Sequence, residues 1–319
     1  APIALVGFIA IPIFVGNSLF YFMASICLTL FAMDIFRTPI ISLMGDITPS
    51  PKRSQANGVI NLMGGVGAVL AFVVGGLMFK ISIGAPFYFG GATMLFGCAM
   101  VLFFIREPDQ HHEEETKPSL IKSLQSVFRD QDKSALYLLG AIFFWFLGYG
   151  ALEVFFTSFA VNTLNIDSGK ATGLLAFFSL PIVLFSPLSG WLGARYGRKR
   201  TISYGIILFA VLLTYGFFMT TIFETKIVLP LCGIAWSLIL VNSLPMALDM
   251  APPGHLGIYT GLYYLASQFS NIVGPILSGY LIQLFNNNYA VAFLYGAITL
   301  IIALGLMKPV QRGEAIQEN

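Results

Sequence analysis

The chain has 319 residues, of which 57% are hydrophobic and only 10% charged, with a mean hydropathy of +0.82. Soluble domains carry roughly 25% charged residues, so a core wrapped in a solvated shell is excluded and the apolar side chains must face lipid or one another. A net charge of +2 gives no field for nucleic acid, and Cys27, Cys98 and Cys232 lie far apart in apolar runs with no metal or redox spacing.

A helix needs about 20 mostly apolar residues to span a bilayer. Ten candidates follow in order: 1–15, 18–46, 55–81, 84–105, 135–163, 168–194, 200–220, 226–248, 256–285 and 288–307. The first is short, starts on Ala1 rather than Met and has no charged leader, so a start inside a longer protein is expected. Residues 106–134, with EPDQHHEEETKPS and RDQDK, read as a hydrophilic linker. Within it Leu120, Ile121, Leu124, Val127 and Phe128 recur at helical spacing, which fits a short helix on the membrane surface or a loosely ordered linker. His111 and His112 beside Glu113, Glu114 and Glu115 offer metal-binding chemistry, but a solvated charge run is the expected reading. No metal or other cofactor is expected. The expected organisation is a half-bundle 1–105, a linker 106–134, a six-helix half-bundle 135–307 and a tail 308–319.

Basic residues set the orientation. With the linker taken as cytoplasmic, Lys52, Arg53, the linker residues Arg106, Lys117, Lys122, Arg129 and Lys133, then Arg195, Arg198, Lys199, Arg200, Lys308 and Arg312 share that side. Only Lys80, Lys170 and Lys226 fall on the other, and Arg37 lies within a span. The expectation is a multi-pass protein of the cytoplasmic membrane, with linker and C-terminus inside.

The chain also resembles itself. One constant shift carries Asp46 onto Asp249, Gly58 onto Gly261 and Gly76 onto Gly279. Both segments hold a proline before the aspartate (Pro39 and Pro245) and run through a polar loop into a Gly- and Ser-rich helix. The same shift carries Ala1 onto Tyr204, inside the seventh span, with two spans before that point in the second half. Two helices and the start of a third are therefore expected ahead of Ala1. The fold expected is an all-α membrane protein with about ten of twelve transmembrane helices present, in two pseudo-symmetric halves.

The loop GWLGARYGRKR, from Gly190 to Arg200, resembles the signature loop of the major facilitator superfamily. Gly190, Arg195, Gly197, Arg198, Lys199 and Arg200 match; Ala194 stands where the family usually has an acidic residue, which weakens a gating ion pair here. The alternative is a basic loop that only sets topology. MDIFRTPIISLMGDITPSPKRSQANGVINLMGG (33–65) and LPMALDMAPPGHLGIYTGLYYLASQFSNIVGP (244–275) resemble bacterial proton-coupled sugar carriers related to plant sucrose transporters, near the glycoside–pentoside–hexuronide symporters. The resemblance implies the major facilitator fold, a sugar or glycoside cargo, and protons or sodium as driving force.

Charge inside a bilayer is costly and marks function by default. Glu153, mid-span in IFFWFLGYGALEVFFTSF with no basic residue near it in sequence, is the candidate proton carrier; a carboxyl paired across the bundle is the alternative. Asp34 and Arg37 are three apart and share a helix face, for coupling or as a structural pair. Asp46 and Asp249 lie near span ends and join the basic loop as gating or packing candidates. The amides Asn61, Asn242, Gln268 and Asn271 and the rings of Trp145, Tyr149, Tyr263 and Tyr264 offer a cargo hydrogen bonds and apolar faces. The same amides also serve as interhelical glue. Gly64, Gly65, Gly67, Gly75 and Gly76 read as packing residues, and Pro181, Pro187, Pro245 and Pro275 as kinks.

No phosphate loop, nucleophile triad or zinc motif occurs in the sequence. The expected function is therefore an ion-driven carrier working by alternating access, a sugar or glycoside:proton symporter. It is expected to be monomeric, with a small molecule, protons and the bilayer as partners. A proton-linked drug or metabolite exporter of the same fold is the alternative. A membrane-embedded enzyme is disfavoured because His111, His112 and His255 all lie in loops. Without the preceding helices one cavity wall is lacking, so activity is expected of the longer protein.

Overall fold

The computed structural model describes residues 2–104, 132–252 and 254–315. The metal reading at His111 and His112 and the surface-helix reading at Leu120 to Phe128 fall outside the described residues. Every long element among them is an α-helix: α1 Pro2–Phe14, α2 Leu19–Ile47, α3 Arg53–Phe79, α4 Ala85–Phe104, α5 Ser134–Asn162, α6 Ser168–Leu174, α7 Ala176–Tyr196, α8 Arg198–Gly216, α9 Ile222–Leu248, α10 Leu256–Leu284 and α11 Val291–Met307. All ten expected spans are helical, and the sixth is divided. Leu175 alone separates α6 from α7, and its own backbone is right-handed helical (φ −62°, ψ −20°), so the division is an irregularity in one path and not a loop.

By length and apolarity α4, α5, α7 and α9 suffice to cross a membrane, while α1 and α11 are apolar but shorter. The surface agrees with that chemistry. Phe20 is 75% exposed, Leu102 80% and Phe103 82%. Large apolar side chains exposed to this degree are tolerated against lipid more readily than against water.

The described residues fall into two compact units. In the first (2–47 with 63–104), α1 packs on α2 and α4. Gly7 permits the approach of α1 to α2, since a Cβ there would sit 2.7 Å from Thr29 Oγ1. Ser25 and Thr29 turn their hydroxyls back onto carbonyls of their own helix, at 2.8 and 2.7 Å, so no polar group is stranded in the contact.

The second unit (48–62 with 132–252 and 254–315) places α5 along α10 and α11, α9 along α7 and α8, and α8 along α11. Glycines set these contacts. A Cβ at Gly148 would meet the Gly296 carbonyl at 2.9 Å, one at Gly205 the Ala235 carbonyl at 2.8 Å, and one at Gly233 would overlap the Phe178 carbonyl. Three of the glycines expected to pack make no close contact: nothing described lies within 4 Å of a Cβ position at Gly64 or Gly67, and Gly75 makes only an ordinary 3.9 Å contact. The reason is geometric, because close-packing glycines are needed where two backbones cross, and the described crossings fall at other glycines, such as Gly148, Gly205 and Gly233. The opening turns of α3 join this second unit: Asn57 Nδ2 donates to the Val241 carbonyl at 2.7 Å, and a Cβ at Gly58 would meet the Ser186 carbonyl at 2.6 Å.

Candidate functional site

Two clusters of polar side chains stand out in the second unit. The first forms where the basic segments meet. Gly197, with φ +95°, lets α7 end at Tyr196 and α8 begin at Arg198, a backbone conformation that side-chain-bearing residues rarely adopt. That corner carries Arg198 inward until no surface remains exposed. Its Nε donates to Ser54 Oγ at 2.9 Å, Nη1 to the Pro245 and Gly313 carbonyls at 3.2 and 3.1 Å, and Nη2 to the Ser50 carbonyl at 2.5 Å. Nη1 also pairs with Asp249, the residue that ends α9, and the other oxygen of that carboxylate pairs with Arg53. Ser50 Oγ adds a 2.6 Å hydrogen bond to Asp249. Two guanidinium groups thus share one wholly buried carboxylate. A second carboxylate, Glu314, accepts from the backbone N–H of Arg198 and Lys199 at 2.7 and 3.0 Å. Buried charge is tolerated only when paired and hydrogen-bonded in this way.

Of the gating residues expected from sequence, Gly190, Gly197, Arg198 and Asp249 meet here; a Cβ at Gly190 would overlap the Ser54 carbonyl. Lys199 flanks the cluster, its Nζ donating to the Lys308 and Val310 carbonyls at 2.8 and 2.6 Å. Arg195 and Arg200 stay exposed, Arg195 lying 5.0 Å over the Trp191 ring and 5.5 Å over Tyr196. Asp46 is exposed near the end of α2 in the first unit. The sequence reading missed Ser50, Arg53, Ser54 and Glu314 as members. The polar segment leading into α3 was a signal for the first three.

The second cluster lies midway along α5. Tyr149 stacks on Trp236 of α9 (centroids 4.3 Å apart, planes 9° apart), and Phe146 meets the same indole edge-on at 5.1 Å. One turn further on, the exposed carboxyl of Glu153 stands near the Tyr149 hydroxyl. Asn271 Oδ1 lies 3.9 Å from the Cβ position of Gly150, which brings the α10 amides beside this face of α5. Asn271 Nδ2 reaches Gln268 Oε1 at 3.4 Å, and both amides are exposed. Asn271 thus lies beside the stretch of α5 that carries Tyr149 and Glu153, with Gln268 next to it on α10.

The other cargo candidates are not part of this group. Asn242 is fully buried, and its Nδ2 donates to the Ser189 carbonyl, Ser189 Oγ and the Leu238 carbonyl, tying α9 to α7. Tyr263 is buried with its hydroxyl 2.9 Å from Ser243 Oγ, Tyr264 lies edge-on beside it, and Asn61 donates to the Asn57 carbonyl at 2.8 Å. Trp145 has no exposed surface, and its Nε1 has no hydrogen-bond partner among the described residues. Asp34 and Arg37 lie on α2, with side chains outside the described residues. Trp236 is the residue sequence reasoning missed, although an indole mid-way along an apolar helix was visible. Among the described residues no group of His, Cys, Asp and Glu could hold a metal.

Comparison with known proteins agrees with this architecture. The family model described as Major Facilitator Superfamily matches residues 2–180 and 160–317. Multidrug resistance protein 2 of Bacillus subtilis is 24% identical over 272 residues, which is 84% of this chain and 67% of that protein. Tetracycline resistance protein, class E, of Escherichia coli is 24% identical over 250 residues, 75% of this chain and 60% of that protein. The chain thus spans around two-thirds of the length of these relatives. Among solved structures, the transporter FucP in the outward conformation superposes with a TM-score of 0.84 at 14% identity, over 97% of this chain and 81% of that one. The human organic anion transporter MFSD10 gives 0.77 at 16% identity, over 96% and 75%.

Proposed function

The chain belongs to the Major Facilitator Superfamily, and from that premise we propose that it forms the larger part of a proton-linked carrier that exports an amphipathic organic molecule. It is a multi-pass membrane transporter and not an enzyme. The observation that carries the finer reading is the exposed Glu153 carboxyl near the Tyr149 hydroxyl, on the stretch of α5 that holds the Tyr149–Trp236 stack and has Asn271 beside Gly150. A carboxyl there takes up a proton and loses its charge, then returns the proton when cargo arrives. The stacked rings offer a flat apolar body a face, and the amides orient its polar groups. The names of the two bacterial relatives, multidrug and tetracycline resistance, favour export.

Alternating access supplies the cycle. The basic segments gather at one end of the second unit, which the positive-inside rule makes cytoplasmic. In this reading Arg198, Asp249 and Arg53 close that end and part when it opens. Gly190 and Gly197 shape the corner, Lys199 braces it, Arg195 and Arg200 form its rim, and Asp46 is a gating residue of the first unit. Asp34 and Arg37 couple proton to cargo. A second reading, sugar or glycoside symport, is favoured by the paired amides beside an aromatic face, a combination that suits hydroxyls on a ring.

The test uses the full-length protein in vesicles with an imposed pH gradient, offered labelled tetracycline, a labelled lipophilic amine and labelled monosaccharides. Proton-driven movement of tetracycline or the amine against inward proton flow supports export. Sugar accumulation along with the protons selects symport. Glu153→Gln is expected to abolish gradient-driven accumulation while leaving exchange; accumulation that survives unchanged overturns the assignment of Glu153.

A further inference from the structure

After α11 the chain stays on the bundle. Val310 is buried, and its carbonyl accepts from Lys199. The Gln311 N–H donates to Ser134 Oγ, at the first residue of α5, at 2.9 Å. Arg312 reaches the Met250 carbonyl just past α9 and pairs with Asp132 ahead of α5, each at 3.4 Å. Gly313 turns with φ +94°, its carbonyl accepts from Arg198, and a Cβ on it would meet the Met246 carbonyl at 2.6 Å and Met250 Cε at 2.9 Å. Glu314 then takes the first two N–H groups of α8.

That last contact fills a vacancy in the local sequence. The first N–H groups of a helix have no partner within it and need a cap. The residue before α8 is Gly197, which has no side chain to offer, and residues 190–200 contain no acid. The capping carboxylate instead comes from 116 residues further along the chain. It also brings the cluster to two carboxylates for two guanidinium groups, Arg53 and Arg198.

We propose that residues 310–314 are a latch, in which Glu314 is the positioning residue that holds Arg198 on Asp249, and that this latch lifts whenever the Arg198–Asp249–Arg53 cluster parts. The latch is read without reference to any cargo; its link to opening rests on the carrier reading above.

The experiment places single reporters in the full-length protein with Cys27, Cys98 and Cys232 replaced by alanine. Met250→Cys reports the tail, because Met250 is 3% exposed beneath Gly313; Ser54→Cys reports the cluster, because Ser54 has no exposed surface and bonds Arg198. Alkylation by N-ethylmaleimide is timed at each. Glu314→Gln should raise both rates roughly tenfold, and Glu314→Asp should restore most of the protection. Gly313→Ala, strained at its positive φ, should act like Glu314→Gln through a different atom. Rates unchanged at both sites overturn the proposal. So does a rise at position 250 alone, since that is a fraying tail with no hold on the gate. A normal labelling response in a protein that moves neither tetracycline, amine nor sugar overturns the carrier reading and leaves the latch standing.

Discussion

Arg198 has no exposed surface, yet every group it points at is an oxygen: a hydroxyl, three carbonyls and the Asp249 carboxylate. Such a charge is stable only while its counter-charge stays in place. Asp249→Asn keeps the shape and removes the charge facing both Arg198 and Arg53. The expected cost is about 3–5 kcal/mol, the range for breaking a buried pair on one side. It should appear as a marked fall in the unfolding temperature of detergent-purified protein. Arg198→Lys keeps the charge but loses the planar fork that reaches separate oxygens, so it should fall between wild type and Asp249→Asn. Arg195→Ala, at an exposed arginine resting on Trp191 and Tyr196, should leave the unfolding temperature within about 1 °C, since exposed charges contribute little. Equal melting of Asp249→Asn and wild type would remove the ion cluster from the account of what holds this end together.

Between helices, backbone approach decides what a residue can be. At Gly233 an added methyl would overlap the Phe178 carbonyl and meet Pro181 Cβ at 3.2 Å, so α7 and α9 must separate to admit it. Gly233→Ala is expected to cost about 1–3 kcal/mol, as overpacking does. Gly64→Ala, with nothing described within 4 Å, should be neutral or gain up to about 1 kcal/mol from helix propensity. Thermal unfolding of the two variants side by side checks both, and a neutral Gly233→Ala would mean a looser α7–α9 contact than the structure has. The pair also marks how far sequence reaches. Helices were legible because apolar runs bounded by Gly, Pro and charge have no other stable form in lipid. The basic corner was legible because Gly197 and its arginines are contiguous. Packing glycines were not, since α3 and α9 both carry them and only the crossing partner tells them apart. Asn242 and Gln268 look alike in sequence, and only the neighbour on α7 makes one an internal tie while the other stays exposed. Glu314 was illegible for the same reason: its partners lie more than a hundred residues away.

For the whole carrier, the number of titrating carboxyls sets a ceiling on what it can accumulate. If transport draws on a gradient, as proposed, ATP should have no effect on it in washed vesicles. If Glu153 alone carries the proton, one proton moves per cargo. One pH unit is then worth about 1.4 kcal/mol, a limiting ratio of about tenfold for an uncharged cargo once the membrane potential is clamped to zero. Two pH units should sustain about a hundredfold, so the logarithm of the plateau ratio should rise by one decade per unit of imposed gradient. Restoring a potential of 100 mV adds about 2.3 kcal/mol for each net charge moved. A slope of two decades per unit would mean that a second proton travels with each cargo on another carboxyl, and Asp34 on α2 is the residue to replace next. A slope of zero, with cargo still crossing, would leave a uniporter and remove Glu153 from any coupling role.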